Sequence, residues 1–188
     1  MCSRRFPIEK PMTLGTSKFP SAAAAIMWGG LMCGVFDIVY AFLFFGAFGA
    51  RPLRILQSIS SGLLGRAAFD GGFKTAILGL FLHFVISFGA ATVYYVASRK
   101  LDFMIRNAVR SGLAYGVAVY LFMNYVVIPL SAVRKQPFNG KMFVINLVEH
   151  MLLVGLPIAL ATRRFAGPGG SGWKKPLEPP QMGKARSA

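Results

Sequence analysis

The sequence predicts an all-α polytopic membrane protein: a four-transmembrane-helix bundle with an interfacial amphipathic segment between the first two spans. Three observations carry this. Of 188 residues, 55% are hydrophobic and only 14% charged, a composition that marks membrane spans when it is gathered into long uncharged runs. There are four such runs, at about 22–48, 75–97, 111–132 and 142–162. The 21 Lys and Arg fall almost entirely between or beyond them, where basic residues set topology and meet anionic headgroups. The formal charge of +15 therefore points to an anionic lipid bilayer as partner. It does not point to nucleic acid, because no basic stripe with interleaved aromatics stands outside the spans.

Residues 1–21 read as a basic cytoplasmic tail carrying Arg4, Arg5, Lys10 and Lys18, with its true start at Met1 or Met12. Ser3-Arg4-Arg5-Phe6 is faintly similar to a twin-arginine signal. Pro7 follows it, however, and the next apolar run is too distant and too long for a signal-peptide core. Cys2 and Cys33 lie in a tail and mid-span, so no disulfide framework or CxxC motif is expected. The first span is interrupted only by Asp37 and exceeds the ~20 residues that a bilayer needs, so it tilts or ends near Gly46–Gly49. Gly30 and Gly34 form a GxxxG, which exposes bare backbone to a neighbouring helix.

The connection 51–72 opens with Pro52, suited to a first helical turn. Ile55, Leu56, Ile59 and Leu63 recur at helical spacing, with Arg54, Gln57, Ser58 and Ser61 largely opposite. This predicts an interfacial helix of about 12–14 residues, broken by Gly62 and Gly65, before Gly71-Gly72 turns the chain back. The second span carries His83, Ser87 one turn on, and Tyr94 and Tyr95 near the far interface. A basic connection with Arg99, Lys100, Arg106 and Arg110 follows. The third span holds a second GxxxG at Gly112 and Gly116, then Asn124 and Pro129. After a short link with turn signals at Pro137 and Asn139-Gly140, the fourth span holds Asn146, Glu149 and His150. Pro157 weakens it by freeing the carbonyl of Leu153. Residues 22–164 thus form the membrane domain, and 165–188, rich in Gly, Pro and Lys, read as a disordered basic tail. No internal repeat is visible, so the paired-repeat plan of many transporters gains no support.

The N-terminal tail and the second connection hold four Lys/Arg each and the C-terminal tail six, against four and three in the other two connections. The positive-inside rule then places both termini in the cytoplasm and 51–72 outside. With that topology the polar residues fall into a layer. His83, Glu149 and Asn124 lie nine, eight and ten residues from Lys74, Lys141 and Arg134, about 12–15 Å below the outer boundary charges. Asp37, fourteen residues before Arg51, is expected deeper, at roughly 20 Å, unless the first span ends early. Asp37, His83, Asn124, Asn146, Glu149 and His150 are the candidate site residues, because ionisable groups inside a membrane are costly and by default suggest function. Since successive helix positions diverge by about 100°, Glu149 rather than His150 is expected to face the bundle centre, with Asn146 one turn away.

Three functions follow. The first is a structural, assembly or lipid-contacting membrane component without catalysis, in which uncharged groups such as Asn124, Asn146 and Ser87 act as interhelical glue. The second is a small proton- or cation-coupled transporter or channel. There Asp37 and Glu149 bind the ion and His83 and His150 relay, and four helices are few enough to require a homo-oligomer. The third is a haem held between His83 and His150, or a metal such as zinc or iron held by those histidines with Glu149 and Asp37. No catalytic motif is present, and the bland expectation is no enzyme and no cofactor.

The run "RILQSISSGLLGRAAFDGG" followed by "AILGLFLHFVISFGAATVYYVASR" resembles small four-span inner-membrane proteins of bacteria that have no assigned function. The resemblance covers Arg54–Arg99. It implies residence in the bacterial plasma membrane and four spans, and it brings no site residues.

Overall fold

A computed structural model describes residues 21–133 and 138–166. The two tails and most of the link between the last two spans lie outside the described residues, including the expected tail disorder. The described chain is all-α, with four helical segments long and apolar enough to cross a membrane. These are helix α1 (Ser21–Ala47), helix α3 (Gly72–Ser98), the segment Ala108–Leu130 and the segment Gly140–Phe165. The third segment comprises α5 (Ala108–Phe122), a π-helical turn (Met123–Val127) and α6 (Ile128–Leu130). The fourth comprises α7 (Gly140–Glu149), a second π turn (His150–Gly155) and α8 (Leu156–Ala166). Between spans stand α2 (Pro52–Leu64) and the five-residue α4 (Asp102–Arg106).

Helix α1 packs along both α3 and α8, and α5 packs along the other side of α8 and its π turn. Glycines set these distances. A Cβ at Gly112 would meet the Gly155 carbonyl and Leu156, one at Gly116 would overlap the backbone of His150 and Met151, and one at Gly155 would overlap Gly112 and Gly116. Three bare positions thus seat α5 directly on the last span, the close approach that GxxxG permits. Gly30 and Gly34 work differently. The atoms facing them are the rings of Phe88 and Phe84, so they receive aromatic knobs from α3 and not a second backbone. The core sits toward the end of the bundle away from α2, around Cys33, Ala91, Tyr94, Val154 and Ile158.

Both π turns end two residues before a proline, Pro129 and Pro157. Proline has no N–H to give the ladder and crowds the preceding turn, and a single wider turn is a common way for a membrane helix to absorb that. The weakening expected at Pro157 is thus a local change of register.

Several expectations need correction. Helix α2 forms where predicted but runs through Gly62, ending at Gly65 with φ +59°. Its buried side is mixed, apolar and polar. Ile55, Gln57, Ser60 and Ser61 are buried while Leu53, Leu63 and Leu64 are exposed. The Gln57 amide donates to the Gly72 carbonyl at 2.9 Å, and Ser60 donates to the Gln57 carbonyl at 3.0 Å. Gly79 on α3 lets α2 approach this closely, since a Cβ there would run into the Leu56 carbonyl. Tyr94 does not reach for headgroups. It is fully buried, and its hydroxyl donates at 3.2 Å to the carbonyl of Met104 on α4, a helix absent from the expected plan. Ser87 and Asn124 each donate to a carbonyl of their own helix, His83 and Tyr120 respectively. Cross-helix bonds come instead from His83 to the Gly34 carbonyl and from Tyr115 to the Ala90 carbonyl.

The seat of α2 on α3 is testable. Gly79→Ala should lower the stability of the detergent-solubilised protein by roughly 1–3 kcal/mol, the usual cost of forcing atoms into a packed site. Gly89→Ala, on the open side of the same helix, should leave it unchanged or slightly raised, since alanine is the better helix former. Equal melting midpoints for the two variants would contradict the close contact.

Candidate functional site

Where α3 and the third span separate, they leave a cavity of about 370 Å³ walled by all four spans. Ile55, Ser58 and Ile59 of α2 line it at one end. Asp37, His83, Asn124, Asn146, Glu149 and His150 all line it, as do Cys33, Tyr40, Ser87 and Tyr120. The polar groups are drawn together by the packing already described: α1 is held to α3 by aromatic knobs, and the last span to α5 by three glycines.

His83 is anchored first. Its Nε2 lies 2.8 Å from the Gly34 carbonyl, which only accepts, so that nitrogen carries the proton and donates. Its Nδ1 is 3.7 Å from Asp37 Oδ2, a separation suited to an ion pair and long for a hydrogen bond. Asp37 therefore stands level with His83 and not deeper. The span ends early, the case in which the count from Arg51 does not apply: α1 stops at Ala47 and the chain turns at Gly49, φ +87°. From the helix end, Asp37 lies ten residues down, about 15 Å.

The second pair is on the last span. His150 Nδ1 is 3.0 Å from the Asn146 carbonyl and in contact with Glu149 Oε2. Both neighbours accept, so Nδ1 carries a proton here as well. The Tyr120 ring packs edge-on against the imidazole at 5.1 Å between centroids. Adjacent residues reach one cavity because the wide turn begins at His150. More residues per turn means less rotation from one side chain to the next. Of the two, Glu149 is the more enclosed, its side chain 4% exposed against 21% for His150, and nothing but Pro157 hinted at the π turn.

Glu149 is the most confined of these groups, its side chain 4% exposed against 28% for Asp37. One carboxylate oxygen meets His150, and the other, Oε1, is buried without a hydrogen-bond partner. The Tyr40 hydroxyl is in the same condition. One donor atom each from Asp37, Glu149 and His150 lie within 4.8 Å of one another. His83 is outside that cluster, and its Nε2 is already engaged by Gly34. A haem clamped between His83 and His150 does not fit this arrangement. Tyr40, which the sequence places three residues after Asp37 and so on the same helix face, lines the cavity beside it.

Against known protein families, curated proteins and solved structures, the chain gives no match. The likeness of Arg54–Arg99 to small bacterial four-span proteins thus has no family match behind it and transfers no residue roles.

The orphan oxygen leads to an expectation about stability. Two carboxylates in one cavity, one of them underbonded, oppose folding, because buried polar groups without partners are costly. Glu149→Gln and Asp37→Asn should therefore melt at or above the wild-type midpoint. His83→Leu, which removes the α1–α3 bond, should melt lower by about 1 kcal/mol. A larger loss in Glu149→Gln than in His83→Leu would mean that the carboxylate is structural.

Proposed function

We propose that this multi-pass membrane protein binds a cation within the bilayer and acts as a small transporter or channel component. The observation that supports it is Glu149: a carboxylate buried among four spans, with one oxygen unpartnered and a second carboxylate, Asp37, in the same cavity. Helix glue requires no such arrangement, since neutral amides and hydroxyls serve that purpose at lower cost. A cation offsets the paired negative charge and gives the free oxygen a partner.

In the proposed setting the protein resides in the bacterial plasma membrane, with both termini cytoplasmic and α2 on the outer side, as the distribution of Lys and Arg favours. The cavity then opens toward the outer half of the bilayer beneath α2. The basic faces contact anionic headgroups, and a homo-oligomer supplies the lateral packing that four helices alone lack. A green fluorescent protein fused to the C-terminus should fluoresce in this orientation, and alkaline phosphatase fused there should be inactive. The opposite pattern would invert the scheme.

The activity test is flux. Proteoliposomes of the full chain should take up a cation (proton, sodium, potassium or a divalent metal, each followed with its own dye), and Glu149→Gln should reduce that uptake by at least about tenfold, equivalent to 1.4 kcal/mol of lost interaction. Uptake equal to that of empty liposomes for every cation, or undiminished in Glu149→Gln, would rule the reading out.

A further inference from the structure

We infer that the cluster formed by Asp37, Glu149 and His150 is a binding site for a divalent transition-metal cation of the zinc type. This rests on the cation-binding reading above and narrows it to a ligand class. Three lines of geometry and chemistry carry it.

The first is spacing. Donors bound to one zinc ion lie about 2.0–2.2 Å from it, so no two can be more than about 4.4 Å apart. The three donor atoms are already within 4.8 Å of one another. In a tetrahedral site the separations are about 3.3–3.6 Å, so a movement of about 1 Å, within the reach of side-chain torsions, brings them to a common ion.

The second is the unsatisfied oxygen. Glu149 Oε1 is buried without a partner inside the cavity that Asp37 and His150 also line. The Tyr40 hydroxyl, equally unpartnered, borders the same space. Such atoms are costly unless something meets them. A divalent ion would meet Glu149 Oε1 directly, and its two charges match the two carboxylates.

The third is donor type. Alkali and alkaline-earth ions prefer sites made wholly of oxygen, whereas an imidazole alongside carboxylates suits zinc and the neighbouring transition metals. The surroundings of the cluster match what such ligands need. His83, fixed by the Gly34 carbonyl, stands 3.7 Å from Asp37, and the Asn146 carbonyl holds Nδ1 of His150. Outer partners of this kind orient ligands in metal sites. Asp37, the more exposed carboxylate, is the first contact for an arriving ion, and Glu149 is the inner one.

The test uses the full chain in detergent micelles, with Zn²⁺ by calorimetry and Co²⁺ by visible absorption. The wild type should bind one Zn²⁺ per chain, and Co²⁺ at the same site should give visible bands that Zn²⁺ bleaches. A hundredfold excess of Mg²⁺ or Na⁺ should not displace either. Glu149→Gln, Asp37→Asn and His150→Gln should each weaken binding by more than about 100-fold, and His83→Gln, as an orienting partner, by about tenfold. Absence of Zn²⁺ and Co²⁺ binding to the wild type overturns the inference whether or not any variant folds. So does displacement by Mg²⁺, or full affinity in Glu149→Gln. If metal binding is absent while a proton or sodium flux still depends on Glu149, the transition-metal assignment falls and the broader cation reading stands. If both are absent, both fall.

Discussion

Hydrocarbon offers a carboxylate nothing, so every partner of Glu149 has to come from the protein or from an ion that the protein admits. That constraint organises the outer-facing half of the bundle as proposed. His150 answers one oxygen, and the wide turn at His150 makes the answer geometrically possible on adjacent residues. The other oxygen is left unanswered. Around this point the remaining polar groups take fixed places: His83 on the Gly34 carbonyl, Asp37 beside His83, and Asn146 holding His150 through its backbone.

The cavity exists because the two halves of the bundle are closed by different means. On one side three glycines bring α5 onto the last span with no side chain between. On the other, Phe84 and Phe88 stand against Gly34 and Gly30, so α1 and α3 are joined through rings. Toward the end away from α2, Tyr94 and Tyr115 fill the gap between α3 and α5, and Tyr115 bonds the Ala90 carbonyl. Nearer α2 the space stays open, and among its mostly apolar lining stand Asp37, His83, Glu149 and His150. Packing that is tight elsewhere thus leaves room in one place, and that place is where the charges are.

The parts of this arrangement that could be read in the sequence are those governed by bulk hydropathy and by rise per residue. Long apolar runs identify the spans, and counting inward from boundary charges puts His83, Asn124 and Glu149 at one level; the three line one cavity. For Asp37 the count depended on where the first span ends, and because Arg51 lies beyond a turn its sequence distance is not a helical one. Orientation was less legible. Helix α2 carries an apolar stripe that suggests a membrane-facing side, yet Gln57 and Ser60 are buried where a single glycine on α3 lets it approach. Composition cannot show which neighbour has bare backbone at the point of contact. Nor does spacing reveal whether a hydroxyl or amide bonds its own helix, as Ser87 and Asn124 do, or crosses to another, as Tyr115 does. Gly155 escaped notice because it is a lone glycine whose partners, Gly112 and Gly116, lie more than thirty-five residues earlier in the chain.

The difference in exposure between the two carboxylates gives the cluster a direction. Asp37, with over a quarter of its side chain accessible, can be approached by an ion in the proposed reading. Glu149, nearly enclosed, has no solvation left to lose, so its interaction with an incoming charge is the stronger in a region of low dielectric. An ion passing from the first to the second would move from a weaker to a stronger field while exchanging water for protein oxygen and nitrogen. A purely structural pair gains nothing from that gradient. Two equally buried carboxylates would bind an ion without offering it a way in, and two exposed ones would hold it weakly. In the proposed reading, one of each, with an imidazole beside the inner one, combines access with retention.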